Sequence, residues 1–212
     1  MVFRIHPARP IDELRRESLL VHPPEEPGTF LEPDLVDLAT LGPGLRFDLR
    51  YATADNVFGA PLYEKARALL QRPAAEAFGR IVSALKTEGF GPLVFDAYRP
   101  WSVTWMMWEA TPEALREFVA DPQRGSRHNR GCALDLSLYD VRTGLAVDMG
   151  TDFDDFSPRA RAGCPDLSPD QARRRAILRR AMRAEGFEPL DAEWWHFDYH
   201  DWPRYPILNQ PL

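Results

Sequence analysis

The segment from Ser126 to Asp135 constrains this chain most, because it joins a histidine, a glycine and an aspartate to the start of a strand. From Gly131 onward large and small residues alternate, with the large ones at Leu134, Leu136 and Leu138. Side chains of a strand point to opposite faces with a period of two. The leucines therefore predict a buried face, and Asp135 should project from the opposite face, near His128.

A second cluster supplies what this segment lacks for a metal site. Histidine nitrogen and aspartate oxygen both suit zinc, and a catalytic zinc takes three protein ligands and leaves one position open. His196 lies in Glu-Trp-Trp-His-Phe, whose aromatic residues are typical of a buried pocket. Taken alone, each residue could equally be a hydrogen-bonded core residue. Together they predict one zinc ion per chain on His128, Asp135 and His196, with Glu193 as general base.

These motifs resemble the D-alanyl-D-alanine dipeptidases, the VanX-like zinc peptidases of family M15. That family belongs to a wider group of zinc D,D-peptidases that shares a fold with the hedgehog signalling domain. The resemblance rests on Ser-x-His-x-x-Gly-x-Ala-x-Asp at 126–135 and Glu-Trp-Trp-His at 193–196. It extends to Tyr-Ala-Thr-x-Asp-Asn at 51–56, Asp-Ala-Tyr-Arg-Pro at 96–100 and Met-Gly-Thr-x-Phe-Asp at 149–154.

The resemblance implies hydrolysis of the free dipeptide D-Ala-D-Ala to two D-alanines, in cell-wall precursor turnover or glycopeptide resistance. It implies that Arg99, oriented by Asp96, stabilises the oxyanion that forms when the peptide carbonyl is attacked. The substrate-binding residues that it implies are Asp154 and Tyr51 for the ammonium group, Ser126 for the carboxylate, and Tyr63 near the site.

Two other functions compete with this interpretation. A zinc D,D-carboxypeptidase or endopeptidase acting on peptidoglycan would keep the metal motif but would need an open groove and export from the cell. A non-catalytic zinc-binding module would also keep the motif, yet it would have no use for Glu193 or Arg99. The matches at Tyr51 and Asp154 favour the dipeptidase.

The remaining patterns predict an α+β fold, in which an antiparallel sheet of four or five strands carries the site and helices pack on its other face. Alternating or buried apolar runs predict strands at 45–51, at 93–98 and from 131 onward, and a hairpin turn at 142–144 that returns the chain through 145–149. Glu193 and His196 are three residues apart and would face opposite sides of a straight strand. Both can reach one metal only if Glu193 lies in a bend or bulge.

Helices are predicted at 73–88 and from the capping sequence Ser168-Pro169-Asp170 to Gly186. The region between Arg99 and His128 is also expected to be helical, with a core stripe from 101 to 108 and a second helix that begins at 111. The last helix carries five arginines that are expected on a solvated face: Arg173, Arg174, Arg175, Arg179 and Arg180.

Composition restricts partners and location. The net charge of -6 gives no electrostatic case for nucleic acid or an anionic membrane, and no apolar run approaches the ~20 residues that span a bilayer. The charged first sixteen residues cannot serve as a signal peptide, so a cytoplasmic location is expected. The resemblance implies a small dipeptide as the partner. Cys132 and Cys164 are expected to be free thiols, with a bridge or a thiolate ligand as the alternative.

The chain is predicted to divide at residue 33. Residues 1–33 are proline-rich and are expected to form an extended arm that packs loosely or is partly disordered. Residues 34–212 should form the zinc D,D-dipeptidase catalytic domain.

Overall fold

A five-stranded sheet carries the candidate site in the computed structural model, which describes residues 3–212. In chain order the strands are β1 (Leu35–Asp37), β2 (Arg46–Phe47), β3 (Leu69–Gln71), β4 (Phe90–Asp96), β5 (Ala133–Asp140), β6 (Phe187–Leu190) and β7 (Glu193–Tyr199). The main sheet has the order β2-β4-β5-β7-β6, while β1 and β3 form a separate antiparallel pair. All neighbours in the main sheet are antiparallel except β2 and β4, which are parallel. The predicted α+β fold is confirmed, with a parallel edge strand added.

Residues 3–212 contain four α-helices: α1 (Ile11–Glu17), α2 (Arg72–Thr87), α3 (Trp101–Ala110) and α4 (Pro169–Ala184). Helix α2 packs on β4, α4 packs on β6, and the two helices contact each other. Leu134, Leu136 and Leu138 of β5 are fully buried in one core with apolar side chains of both helices. The predicted cap at the start of α4 is present, and it forms a capping box, since Ser168 and Gln171 exchange side-chain and backbone hydrogen bonds.

The segment before residue 34 differs from its prediction. It contains α1, whose Leu14 is fully buried, and α1 packs against α3. The Glu26 carboxylate accepts hydrogen bonds from the Arg130 side chain and from the backbone N–H of Ile207. The expectation of a loosely packed arm is therefore wrong for α1, because its apolar side chains at helical spacing outweigh the prolines, whereas residues 21–33 form no helix or strand and none of them is buried.

Other elements are shorter than expected. The strand predicted at 45–51 is limited to β2, and the chain turns through a short 3₁₀ segment at Arg50–Ala52. The helix expected from residue 111 is a 3₁₀ helix at Glu113–Phe118. The turn at 142–144 forms, but its return strand is reduced to one bridge between Tyr139 and Ala146. Strand β2 lies at the edge of the main sheet, where it has a single neighbour, β4.

One of the five arginines predicted on a solvated face is buried instead. Arg175 donates from Nε to the Met149 carbonyl at 2.7 Å, and its other two nitrogens donate to the carbonyls of Arg161 and Arg159 at 2.9 and 3.0 Å. The guanidinium thus ties both ends of the loop that carries Asp154 to α4. Both cysteines are free, as predicted.

Candidate active site

His128, Asp135 and His196 converge on one point. His196 Nδ1 lies 2.9 Å from Asp135 Oδ1 and 3.2 Å from His128 Nε2, and His128 Nε2 lies 3.3 Å from Asp135 Oδ2. One potential ligand atom of each residue lies within 4.8 Å of the other two, and all three side chains are buried. Asp135 and His196 meet because they are paired residues of neighbouring strands β5 and β7.

The backbone before β5 brings His128 into the same cluster. His128 lies in a 3₁₀ turn at His128–Arg130, and Gly131 ends that turn with a φ of 66°. A Cβ at position 131 would lie 2.5 Å from Leu35 Cδ2. Glycine is therefore required here both for its left-handed backbone and for space. It lets the chain reverse from the histidine into the strand that carries Asp135.

Each histidine has one nitrogen occupied outside the cluster. His128 Nδ1 lies 2.6 Å from the Ala97 carbonyl, which can only accept, so Nδ1 carries the proton and Nε2 faces the cluster. His196 Nε2 lies 2.9 Å from the carboxylate of Asp198, so Nδ1 faces the cluster. The two imidazoles thus present different nitrogens to the same point.

The electrostatics of the cluster favour a positive charge at its centre. Burial opposes protonation of His196, but hydrogen bonds with Asp135 and Asp198 outweigh burial and hold the His196 pKa well above its usual 6.5. Burial likewise opposes ionisation of Asp135, yet the nearby His128 and His196 hold the pKa of this carboxyl well below its usual range. A metal ion would satisfy the same demand for positive charge.

Glu193 stands beside this cluster on the predicted bulge. The register of β6 and β7 shifts between Pro189 and Leu190, so that Leu190 pairs with Glu193. Glu193 Oε2 lies 4.0 Å from His196 Nδ1, and the side chain is 30% exposed. Burial of the carboxyl raises the pKa of Glu193 above its usual 4.5. This geometry gives Glu193 access to the cluster without making it one of the three residues that converge there.

Arg99 is held against the cluster from the other side. Its Nε and Nη2 donate to Asp96 Oδ2 at 3.0 and 2.7 Å, and Nη2 lies 3.9 Å from Asp135 Oδ2. A bulge in β4 places Asp96 opposite Asp135. The Tyr63 hydroxyl donates to Asp96 Oδ1 at 2.6 Å. The expected orientation of Arg99 by Asp96 is present, and Tyr63 extends that chain of contacts.

Asp154 and Tyr51 form a pair at one end of the site. The Tyr51 hydroxyl donates to Asp154 Oδ2 at 2.7 Å. Asp154 adopts a φ of 56°, in the left-handed region that aspartate tolerates better than most residues. Burial raises the pKa of the Asp154 carboxyl well above its usual 3.8. The carboxyl therefore lacks a full positive partner of its own.

A cavity of about 360 Å³ joins these groups. Every site residue predicted from the sequence lines it except Tyr63, which lies behind Arg99. Ser126 lies on its wall and accepts a hydrogen bond from the His128 backbone N–H at 3.2 Å. The volume is at the lower end of the range usual for small-molecule sites, roughly 300–1,000 Å³.

The sequence analysis missed several residues of this wall. Asp198 and Arg127 line the cavity next to the histidines, and their side chains lie 3.6 Å apart. Phe118 and Phe156 also line it and stack at 4.6 Å between ring centroids. A period of two from His196 along β7 would have pointed to Asp198. No comparable pattern connects Phe118 with Phe156, because they come from separate loops.

Comparison with known proteins places this site in a family. The family model described as D-ala-D-ala dipeptidase, Peptidase_M15, matches residues 32–211. The chain belongs to this family. As an M15 peptidase it is a metallopeptidase, and the cluster of two histidines and one aspartate could hold the metal.

Curated relatives of this M15 peptidase carry one name. The D-alanyl-D-alanine dipeptidase of Escherichia coli K12 is 39% identical over 82% of this chain and 89% of its own length. That of Enterococcus faecium is 35% identical over 77% of this chain and 89% of its own length. This chain is also similar to a solved structure of the LD-carboxypeptidase LdcB, a structure described as revealing the basis of peptidoglycan recognition. The match covers 82% of this chain and 71% of the other chain, with 19% identity and a TM-score of 0.48.

No helix within residues 3–212 combines the length and apolar character needed to cross a bilayer.

Proposed function

We propose that this M15 peptidase hydrolyses D-Ala-D-Ala to two D-alanines with one zinc ion held by His128, Asp135 and His196. The convergence of these three ligands with Glu193 and Arg99 in one small cavity carries the proposal. The relatives named D-alanyl-D-alanine dipeptidase, at 35–39% identity, support the choice of substrate.

The donor set fits zinc in both chemistry and spacing. Three ligands at roughly 2.1 Å in a tetrahedral arrangement stand about 3.4 Å from one another. The distances between the facing atoms of His128, Asp135 and His196 are 2.9, 3.2 and 3.3 Å, so that a small outward movement would admit the ion. When bound, zinc would supply the Lewis acidity that activates water and polarises the peptide carbonyl.

We assign the proton transfers of hydrolysis to Glu193. A general base must reach the proton that it removes, and Glu193 borders the cavity next to the three ligands. The raised pKa of Glu193 is closer to neutral pH than the usual value of a glutamate. A carboxyl group with such a pKa can both take and return a proton efficiently. It would remove a proton from the attacking water and return it to the departing amine nitrogen.

We assign to Arg99 the stabilisation of the negative charge that develops on the carbonyl oxygen of the substrate. Its guanidinium is buried, fixed by two hydrogen bonds to Asp96, and directed towards Asp135. A donor fixed in advance needs little rearrangement when charge develops. This geometry supports a role for Arg99 as an oxyanion donor, and the hydrogen bond from Tyr63 to Asp96 supports a role for Tyr63 in holding Asp96.

Two groups on the cavity wall, Asp154 and Ser126, would bind the two charged ends of a dipeptide. The Asp154 carboxylate, which Tyr51 hydrogen-bonds on one oxygen, would pair with the substrate ammonium through the other. Ser126 would bind the substrate carboxylate. A substrate acylated on its nitrogen lacks the positive charge that Asp154 needs, so the site favours the free dipeptide over a peptidoglycan stem.

Metal analysis of the purified protein tests this proposal. We expect one equivalent of zinc in the wild type, loss of zinc in His128→Ala and His196→Ala, and retained zinc in the matched control His200→Ala. D-alanine release from D-Ala-D-Ala should accompany zinc. A folded wild-type protein that stays free of zinc after zinc-replete expression, or that holds zinc and leaves D-Ala-D-Ala intact, would contradict the proposal.

Three predictions from the sequence stay predictions alongside this proposal. They are the domain boundary at residue 33, the cytoplasmic location and the role in cell-wall precursor turnover or glycopeptide resistance.

A further inference from the structure

Asp198 lines the cavity but has no part in the reaction proposed above. It follows His196 by two residues on β7, so both side chains point to the same face of the sheet. Its partner across β5 is Ala133, whose small side chain leaves room between the strands. The Asp198 side chain is 18% exposed, which indicates that its carboxylate faces protein more than water.

The geometry points to Asp198 as the positioning residue that fixes the ring of His196. Its Oδ1 lies 2.9 Å from His196 Nε2, and an ionised carboxylate can only accept. The contact therefore keeps the proton on Nε2 and leaves Nδ1 as the atom that faces Asp135 and His128. This inference rests on the proposed metal site, since the role of Asp198 is to select the nitrogen that binds the ion.

The two histidines receive different support, and the difference has a chemical consequence. His128 donates its outer N–H to the neutral carbonyl of Ala97, whereas His196 donates to a charged carboxylate. A carboxylate on the outer nitrogen makes an imidazole a more basic ligand and fixes its tautomer. His196 should thus be the stronger of the two nitrogen ligands.

Arg127 holds Asp198 in this arrangement from the solvent side. Its Nε lies 3.6 Å from Asp198 Oδ2, which leaves Oδ1 for His196. The guanidinium also stacks over the Trp202 ring at 4.6 Å from the centroid. Because Arg127 is half exposed, its contribution should be small beside that of the carboxylate.

Zinc affinity measured by competition with a chromogenic chelator tests the inference directly. We expect Asp198→Ala to weaken zinc binding by about 10–100-fold, the range usual for such outer partners. Asp198→Asn keeps an acceptor for the Nε2 proton and should recover part of that loss. The matched control is Asp201→Ala, since the Asp201 carboxylate contacts His200 and Arg204 rather than a ligand histidine.

A spectroscopic measurement separates positioning from general destabilisation. In the cobalt-substituted protein, Asp198→Ala should shift the visible absorption bands, and Asp198→Asn should shift them less, while the melting temperature of the metal-free protein stays close to that of the wild type. Zinc affinity of Asp198→Ala within about threefold of the wild type would overturn the inference. Equal losses in Asp198→Ala and Asp201→Ala would overturn it as well. Failure of the wild type itself to bind zinc would instead reject the proposed function.

Discussion

Replacing Asp154 with asparagine tests how the site selects the length of its substrate. The variant keeps the size of the side chain and an oxygen that can accept from Tyr51, so the loop should keep its conformation. It removes the negative charge of Asp154, which in our proposal pairs with the substrate ammonium. Arg175 holds the loop through backbone carbonyls, and these contacts do not involve the side chain of Asp154.

The expected magnitude follows from the contacts of Asp154. Tyr51 occupies one oxygen, which leaves the other for one strong contact with the ammonium. A hydrogen bond to a charged group contributes roughly 1.5–3 kcal/mol. Since about 1.4 kcal/mol is a factor of ten, kcat/KM for free D-Ala-D-Ala should fall by about 10–150-fold.

The assay compares D-alanine release from D-Ala-D-Ala and from N-acetyl-D-Ala-D-Ala. The wild type should prefer the free dipeptide by at least about 100-fold, because the acylated substrate leaves a carboxylate without its partner. Asp154→Asn should reduce that preference. The pH dependence gives a second readout. The pKa of Asp154 is raised, so its charge is lost as pH falls through a value above 3.8, and KM of the wild type should rise there.

Two results would refute this reasoning. Comparable release from both substrates by the wild type would favour a carboxypeptidase with an open groove. An Asp154→Asn variant with unchanged preference and an unchanged KM profile at low pH would show that the ammonium binds elsewhere. Zinc content should be measured in parallel, because loss of the ion would explain a slow variant without reference to Asp154.

Three further predictions address the base, the oxyanion donor and the core. Glu193→Ala should retain zinc by elemental analysis and lose hydrolysis by at least about 10²-fold, and loss of the metal would show that Glu193 is a ligand. Arg99→Lys should lower kcat more than it raises KM in steady-state assays, because a lysine cannot repeat the two-point contact with Asp96. Leu14→Ala should lower the free energy of unfolding by about 2–5 kcal/mol in urea titrations, whereas the exposed Leu19→Ala should change it by less than about 0.5 kcal/mol.

The meeting of His128, Asp135 and His196 could be predicted from the sequence, because residue type and spacing limit such a cluster strongly. A strand with alternating leucines fixes the face of Asp135, and the odd spacing of Glu193 and His196 requires the bulge that β6 and β7 contain. The partners of the ligands were harder to predict. Ala97 contacts His128 through its backbone carbonyl, which every residue type possesses, so the sequence gives no signal for it.

The sequence also did not predict which charged side chain is buried or which distant segments contact each other. Arg175 sits among similar arginines on α4, and only the path of the 149–161 loop distinguishes it from them. Phe118 and Phe156 meet on the cavity wall although 38 residues separate them in the numbering. Both cases depend on where loops cross the surface of the sheet, and loop paths have no periodic pattern in the sequence.

Helix α1 is buried in the core, although it lies outside the region that matches the family model. The region that packs into one core is therefore longer than the region shared with the family. The family match begins at residue 32, whereas Leu14 and Ile11 belong to the same hydrophobic core as the helices behind the sheet. A chain trimmed to the shared region would expose the apolar surface of α3 that α1 covers. The matched region therefore packs against a helix that lies outside it, so exchanging this region between relatives should require α1 to be moved with it.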